Sequence, residues 1–329
     1  MKLEAPFFLR EQYNQSLLDL LQKTTLGTNG AKYQHLNTSE IIKDLDNPLF
    51  LSLERNEKTI GNIAFCRRDE NWYIRYFAFE KLFQSTKTSK NQKKSKLKDT
   101  LGSFFDSHSE EGKTFYAYVE PTNIRSKQMC LNFGFQVVGA LKTYSFSRKN
   151  SKLNSNLEEL TEDKSNYISS FSEDLFFTAF QPKRSKIYVL KNEIGEEIAS
   201  ARIQHAHWRI ERLPGKMGTF LVKILPYIPI INQFLNPNNY RFLVPDCVKA
   251  KSSEALETLF ESILAQEHSK LLLWWIDEKD ALNRLDKNIK WGVFKRFLGN
   301  PKVEVLAKFS ESNSPVTSKT FFVNGIDLI

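Results

Sequence analysis

Cysteine is scarce in this chain of 329 residues: Cys66, Cys130 and Cys247 are odd in number and far apart. That count indicates neither a disulfide framework nor a cysteine-ligated zinc site, and a reducing compartment, the cytoplasm, is expected. Secretion is not expected from the residues at the start, where Glu4 and Pro6 stand in place of the unbroken apolar stretch of a signal peptide. The longest apolar segment, Gly218 to Leu235, is interrupted by Lys223, Pro226, Pro229, Asn232 and Gln233. It makes a poor membrane span, and the two prolines divide it into a short helix and an apolar loop expected to pack on the protein as an inserted element, the alternative being a lid. Walker loops, dinucleotide fingerprints and Ser-His-Asp arrangements do not occur. His205 and His207 fall on one face if their strand continues, but no third ligand lies near them, so no metal site is expected.

The composition that remains is globular. Hydrophobic residues make up 41% and charged residues 26%, and the length suits about two domains. The 26 phenylalanines fall mostly at core positions of strands and helices. The formal charge of +9 is unevenly spread: residues 1–150 carry 23 basic against 16 acidic groups, and residues 151–329 carry 24 against 22. Six lysines and no acid lie between Ser85 and Lys98. No aromatic residue is interleaved with them, so a stacking platform for single-stranded nucleic acid is not indicated, and tRNA is the one nucleic acid retained as a partner.

Hydrophobic period orders the chain. Phe7–Leu9 is strand-like, and Tyr13–Lys23 places Leu17, Leu18, Leu20 and Leu21 on a helical face. Leu49–Leu53, Ile60–Cys66 and Trp72–Phe79, separated by turn residues, form a three-strand meander. The lysine-rich segment runs into a helix with Leu97, Leu101, Phe104 and Phe105 on one side, closed by Gly112. A strand at Thr114–Val119, a helix at Asn123–Phe133 and a final strand pair around Val137 and Leu141–Phe146 follow. Residues 149–166 are poor in large apolar groups and read as a linker between domains at 1–148 and 167–329. Beyond it the order returns: strands at Lys186–Leu190, Glu197–Ile203 and Tyr240–Val244, a helix at Ser253–Gln266, a strand at Leu271–Ile276, a helical stretch at Ala281–Leu298 and a strand at Val303–Phe309. The fold class is therefore α/β with a mixed sheet, duplicated along the chain.

The run Asn123-Ile124-Arg125-Ser126-Lys127-Gln128-Met129-Cys130-Leu131-Asn132-Phe133-Gly134-Phe135 resembles the helix and turn that end the acyl-CoA site of GCN5-related N-acetyltransferases. The order of elements before it matches as well. The resemblance covers most of residues 1–148 and implies two such domains in tandem, the second degenerate: Lys249–Glu254 offers a basic helix entry without glycine, and no Gly-Phe turn follows Trp274-Trp275. In architecture the tandem resembles mycothiol synthase, N-myristoyltransferases and the Fem-type aminoacyltransferases.

The resemblance implies acetyl-CoA or another acyl-CoA as co-substrate and a small-molecule or peptide amine as acceptor. Its pyrophosphate loop aligns with Gln92, Lys93, Lys94, Ser95, Lys96 and Leu97, where Ser95 and Leu97 replace the two small residues that would let backbone N–H groups approach the phosphates. Two readings stay open: lysine charge replaces the backbone cradle, or the loop has lost CoA and is a solvated basic run. Phe79 marks the backbone expected to polarise the thioester carbonyl, and Asn123 opens the motif helix. Cys130 takes the place of the family's general-acid tyrosine, while Glu80 and Glu120 are the candidate bases. The counter-hypothesis is a binding protein that has kept this fold without its chemistry; aminoacyl-tRNA is an alternative donor. Oligomeric state is left open.

Overall fold

The computed structural model describes residues 5–27, 31–80, 96–161, 167–168, 171, 177, 179–213, 215–232, 235–298, 301–310 and 319–329, with backbone alone at 96–97, 230–231 and 297–298. In chain order the first elements are β1 (Phe7–Arg10), α1 (Gln15–Lys23), β2 (Lys32–His35), α2 (Thr38–Lys43), β3 (Pro48–Arg55), β4 (Lys58–Arg68) and β5 (Asn71–Phe79). They continue with α3 (Lys96–Glu110), β6 (Thr114–Val119), α4 (Ile124–Asn132), β7 (Gln136–Ser147) and β8 (Leu157–Glu159). The later part holds β9 (Lys186–Lys191), β10 (Glu197–Arg212), α5 (Gly218–Ile224), α6 (Pro229–Asn232), β11 (Tyr240–Ala250) and α7 (Ser253–Gln266). Then come β12 (Leu271–Asp277), a 3-10 turn at Ala281–Asn288, α8 (Val293–Leu298) and β13 (Lys302–Lys308).

These elements form two compact units. Unit 1 comprises Met1–Gly27, Thr38–Val138 and Glu304–Thr317; unit 2 comprises Thr28–Asn37, Gly139–Val303 and Ser318–Ile329. Each unit thus recruits segments distant in sequence. Within unit 1 the strand order is β1-β3-β4-β5-β6-β13. The meander β3-β4-β5 is antiparallel, β5 and β6 run parallel with α3 as the crossover, and β13 closes antiparallel on β6 from Glu304↔Val119 to Lys308↔Phe115. The period of α3 explains its seat: Leu101, Phe104 and Phe105 are buried and pack with Phe65, Trp72, Phe115, Phe135 and Leu306. Phe104 meets Phe65 at 5.1 Å and Phe105 meets Phe115 edge-on at 5.0 Å, which is the packing aromatic quadrupoles favour.

Unit 2 repeats the plan with the order β7-β12-β11-β10-β9-β8 and with β2 added to the far half of β10. Its helix α7 buries Leu256, Leu259, Phe260, Ile263 and Leu264 against Ala201, Ile203, Leu243, Leu272 and Trp274. Several expectations are revised. The final strand pair near Val137 and Leu141 is one continuous strand, β7, in which Gly139 gives the ring of Phe321 room against the backbone in place of making a turn. The second-half strand beginning at Glu197 is more than twice the expected length, since beyond Ile203 it pairs with β11 and then with β2. The stretch after residue 149 that is poor in large apolar groups contains β8, which pairs with β9 and sets its one apolar side chain, Leu157, against the unit 2 core. The segment after Gly218 does not pack as a buried insert: only Gly218, Leu225 and Leu235 of its described apolar residues are buried. No helix among the described residues is long and apolar enough to cross a membrane.

Candidate functional site

In unit 1 the parallel pair β5–β6 is joined at Asn71↔Thr114, Trp72↔Phe115 and Tyr73↔Tyr116. Both strands then continue, β5 to Phe79 and β6 to Val119. A parallel pair whose recorded pairing ends midway leaves peptide groups of β5 directed at something other than its neighbour. The divergence begins beside a bulge in the β4–β5 ladder, between Ala64↔Tyr76 and Phe65↔Ile74, which places Arg75 at the extra position. The mouth of this splay is at the C-terminal edge of the parallel strands, where ligands of open α/β sheets bind.

The residues expected from sequence are found as follows. Phe79 ends β5, half-buried, and its ring lies over Gly61, where a Cβ would collide with it. Glu80 follows; its N–H donates to Ile60 O at 2.9 Å and its carboxylate pairs with Lys58 at 2.5 Å. Glu120 ends the β6 side, half-buried, with its acidity weakened by burial and partly restored by a hydrogen bond from Thr122. Asn123 is the N-cap of α4, accepting from Ser126 N–H at 3.2 Å. Strand direction places Phe79, Glu80, Glu120 and Asn123 at one edge of the sheet. Cys130 is in the aromatic core with Phe105 and Phe135, and burial pushes its thiol up to about 11. Gln92, Lys93, Lys94 and Ser95 lie outside the described residues, as do the side chains of Lys96 and Leu97, whose backbone opens α3.

The turn after α4 has a physical reason for its glycine. Phe135 N–H donates to Cys130 O at 3.1 Å and Gly134 N–H to Leu131 O at 3.0 Å, the two bonds of a Schellman cap, with Gly134 at φ +83°. The cap swings Phe135 back into the core beneath α4, and Lys308 of β13 donates to Phe133 O at 3.1 Å.

Unit 2 contains the corresponding features in a closed form. Its parallel pair β11–β12 is joined only at Leu243↔Leu272. Beyond it, the chain's own Phe321, Phe322 and Val323 line a cavity of about 60 Å³ together with Asp246, Cys247, Trp274 and Asp277. Asp277 accepts from Phe321 N–H at 2.7 Å and Asp246 from Gly325 N–H at 2.6 Å. Asp246 is held in turn by the fully buried Arg202, at 2.5 and 2.8 Å to its two oxygens, and by Gln204 at 3.0 Å. The start of α7 is also occupied: Ser252 Oγ accepts from Ala255 N–H at 3.1 Å, and Glu254 sits in the first turn, its carboxyl made more acidic by its own backbone N–H and by Ser252. A helix start that already carries a carboxylate repels a pyrophosphate. Nothing in the sequence pattern pointed to Arg202, Asp246 or the C-terminal filling; a basic and an acidic residue inside otherwise apolar strands were the available signal.

Two splayed parallel pairs, each bridged by a helix packed on a mixed sheet, decide the architecture. The fold is that of the tandem GNAT acyltransferases. Among solved structures, N-myristoyltransferase of Saccharomyces cerevisiae with bound myristoyl-CoA is similar over 98% of this chain and 90% of its own, at TM-score 0.55 and 9% identity. A tandem GNAT protein from the clavulanic acid biosynthesis pathway is similar over 94% and 100%, at TM-score 0.53 and 8% identity. No family model and no curated protein matches the chain. In this GNAT fold His205 and His207 do share a face of β10, yet each is engaged, His205 with Glu267 at 3.1 Å and His207 with Asn239 at 2.6 Å. Among the described residues no three His, Cys, Asp or Glu side chains are grouped to hold a metal.

Proposed function

We propose that unit 1 is an acyl-CoA-dependent N-acyltransferase and that unit 2 is its degenerate counterpart. The observation that carries this reading is the contrast between the splays: in unit 2 the chain's own C-terminal residues line the space beyond the parallel pair and the start of α7 already carries a serine cap and a glutamate, whereas in unit 1 β5 and β6 part after Tyr73↔Tyr116 and no carboxylate precedes Asp99 in the sequence that enters α3. In the reaction the acceptor amine attacks the thioester carbonyl, a C–N bond forms, the C–S bond breaks, and CoA leaves as a thiolate that takes up a proton. Peptide N–H groups near Phe79 would polarise the carbonyl. Glu120 suits the base better than Glu80, because burial raises its basicity while Glu80 is committed to Lys58. Cys130, with its thiol near 11 and its place in the core, serves packing, and the thiolate is protonated from elsewhere.

The loss of the two small residues at Ser95 and Leu97 favours a second reading, a binding protein that has kept the fold. Calorimetric titration with acetyl-CoA and longer acyl-CoAs separates the two. Binding that is lost in Lys93→Ala/Lys94→Ala/Lys96→Ala supports the transferase and identifies lysine charge as the phosphate ligand; no binding of any CoA ester supports the binding protein. Steeply salt-dependent tRNA binding in place of CoA binding would instead identify an aminoacyl-tRNA donor.

A further inference from the structure

The segment joining β10 to β11 turns its apolar stripe outward. Met217, Phe220, Leu221 and Ile224 recur at i, i+3, i+4 and i+7 along α5 and its cap, the spacing that normally faces a core. All four are exposed, Met217 to 59% and Phe220 to 54%, and the turn that follows adds Ile228 and Tyr227, the latter at 84%. The arrangement is built rather than collapsed. A Cβ on Gly218 would collide with the carbonyl of Leu213, so only glycine lets the helix seat its inner side on the end of β10, and that seat fixes the stripe on the solvent side. Monomeric proteins rarely maintain contiguous apolar surface of this kind without an occupant.

Charge narrows the occupant. From Arg212 to Pro245 the sequence has no Asp or Glu, while Lys216 and Lys223 flank the stripe and are exposed. The two-stranded ribbon from which α5 springs adds Lys32 and Arg212, opposite each other in register, and the exposed Arg209, three cations against the one carboxylate at this end of β10, the exposed Glu211. We propose that the α5 stripe with Tyr227 and Ile228 docks unit 2 onto a membrane surface bearing anionic headgroups. The apolar side chains enter the headgroup boundary, Tyr227 takes the interfacial position favoured by an amphipathic ring, and the lysine stems reach outward to lipid phosphates. A second copy of the chain is a poorer occupant, because a two-fold contact through the same patch would bring Lys216 and Lys223 of both copies together with no carboxylate in the segment to receive them.

The test is flotation of the full chain with vesicles of phosphatidylcholine, with and without phosphatidylglycerol. Expected are flotation with the anionic vesicles, weaker flotation with neutral ones, and a decrease as salt is raised. Phe220→Ser/Tyr227→Ser should abolish it on both, and Lys216→Glu/Lys223→Glu should weaken it about tenfold or more on anionic vesicles alone. All four side chains are exposed, so unchanged thermal melting will confirm that the variants fold. Absence of flotation with either vesicle, or flotation indifferent to the substitutions, overturns the proposal. A solution dimer that Phe220→Ser/Tyr227→Ser converts to monomer also overturns it and assigns the stripe to a second copy; capture of an acidic protein partner without vesicle binding overturns it in favour of that partner.

Discussion

Arg202 and Asp246 show what a single pair of charges costs and provides in unit 2. Both side chains are almost fully buried and the contact is bidentate, so each neutralises the other while Gln204 and Gly325 N–H complete the carboxylate's hydrogen bonds. Asp246→Ala leaves a buried guanidinium uncompensated and should destabilise the protein by about 3–5 kcal/mol in denaturant unfolding, whereas replacing both partners by apolar residues should cost much less. Glu267 makes a pH-dependent contribution. Hydrogen bonds from His205, then Lys186 and Tyr188, outweigh burial and hold its carboxyl near 2, below its ordinary 4.5. A depressed pKa stabilises the fold above the ordinary value and ceases to do so as pH falls toward the folded one, so the Tm advantage of the native protein over Glu267→Gln should be full above about pH 5 and vanish near pH 2. For Glu120, Glu120→Gln should lower kcat by about 10²-fold or more with little change in acyl-CoA affinity, and Glu80→Gln should change it far less.

At the level of elements, the helices α3 and α7 answer to the same rule and end in different chemistry. Each places a buried stripe on its sheet, and each follows the strand that begins a splayed parallel pair. They differ at their starts, where the sequence places four lysines between Ser85 and α3 and two more in its first turn, while α7 follows a serine cap and carries a glutamate. The C-terminal segment reinforces the difference. Phe321 N–H is bound by Asp277 and Asn324 accepts from Phe180 N–H at 3.0 Å, so this piece of chain is integral to unit 2. Phe321→Ala/Phe322→Ala should therefore lower stability by several kcal/mol, about 3 or more for each ring, and calorimetry should detect no CoA binding gained by unit 2. Acyl-CoA binding created by these substitutions would show that the segment merely masks a working site.

Across the whole molecule, neither unit is a contiguous stretch of sequence. Unit 1 draws β13 from the far end of the chain, and Thr28–Asn37 lies in unit 2. The β13–β6 ladder covers an edge whose exposure would leave unpaired N–H and C=O groups beside a phenylalanine-rich core. A fragment of residues 1–148 is thus expected to be incompletely folded, with poor protection of β6 amides in hydrogen exchange, while the full chain protects them. Domain duplication with exchanged strands is one way in which two modest cores become mutually dependent for folding.

The helical faces of α3 and α7, the strand identities of the meander, and the cap at Gly134 were legible in the residues, because period and turn chemistry are local properties of a chain. The helix and turn from Asn123 to Phe135 were legible for the same reason. Composition also marked the segment after Gly218 as apolar and proline-broken, yet it could not tell whether that stripe faced inward or outward. Pairing β13 with β6, filling the β11–β12 splay with Phe321–Val323, and enclosing Arg202 with Asp246 each join residues tens to hundreds of positions apart. Local pattern says which face of an element must be covered; only the folded chain decides what covers it, because that choice is made by long-range contacts competing for the same surface.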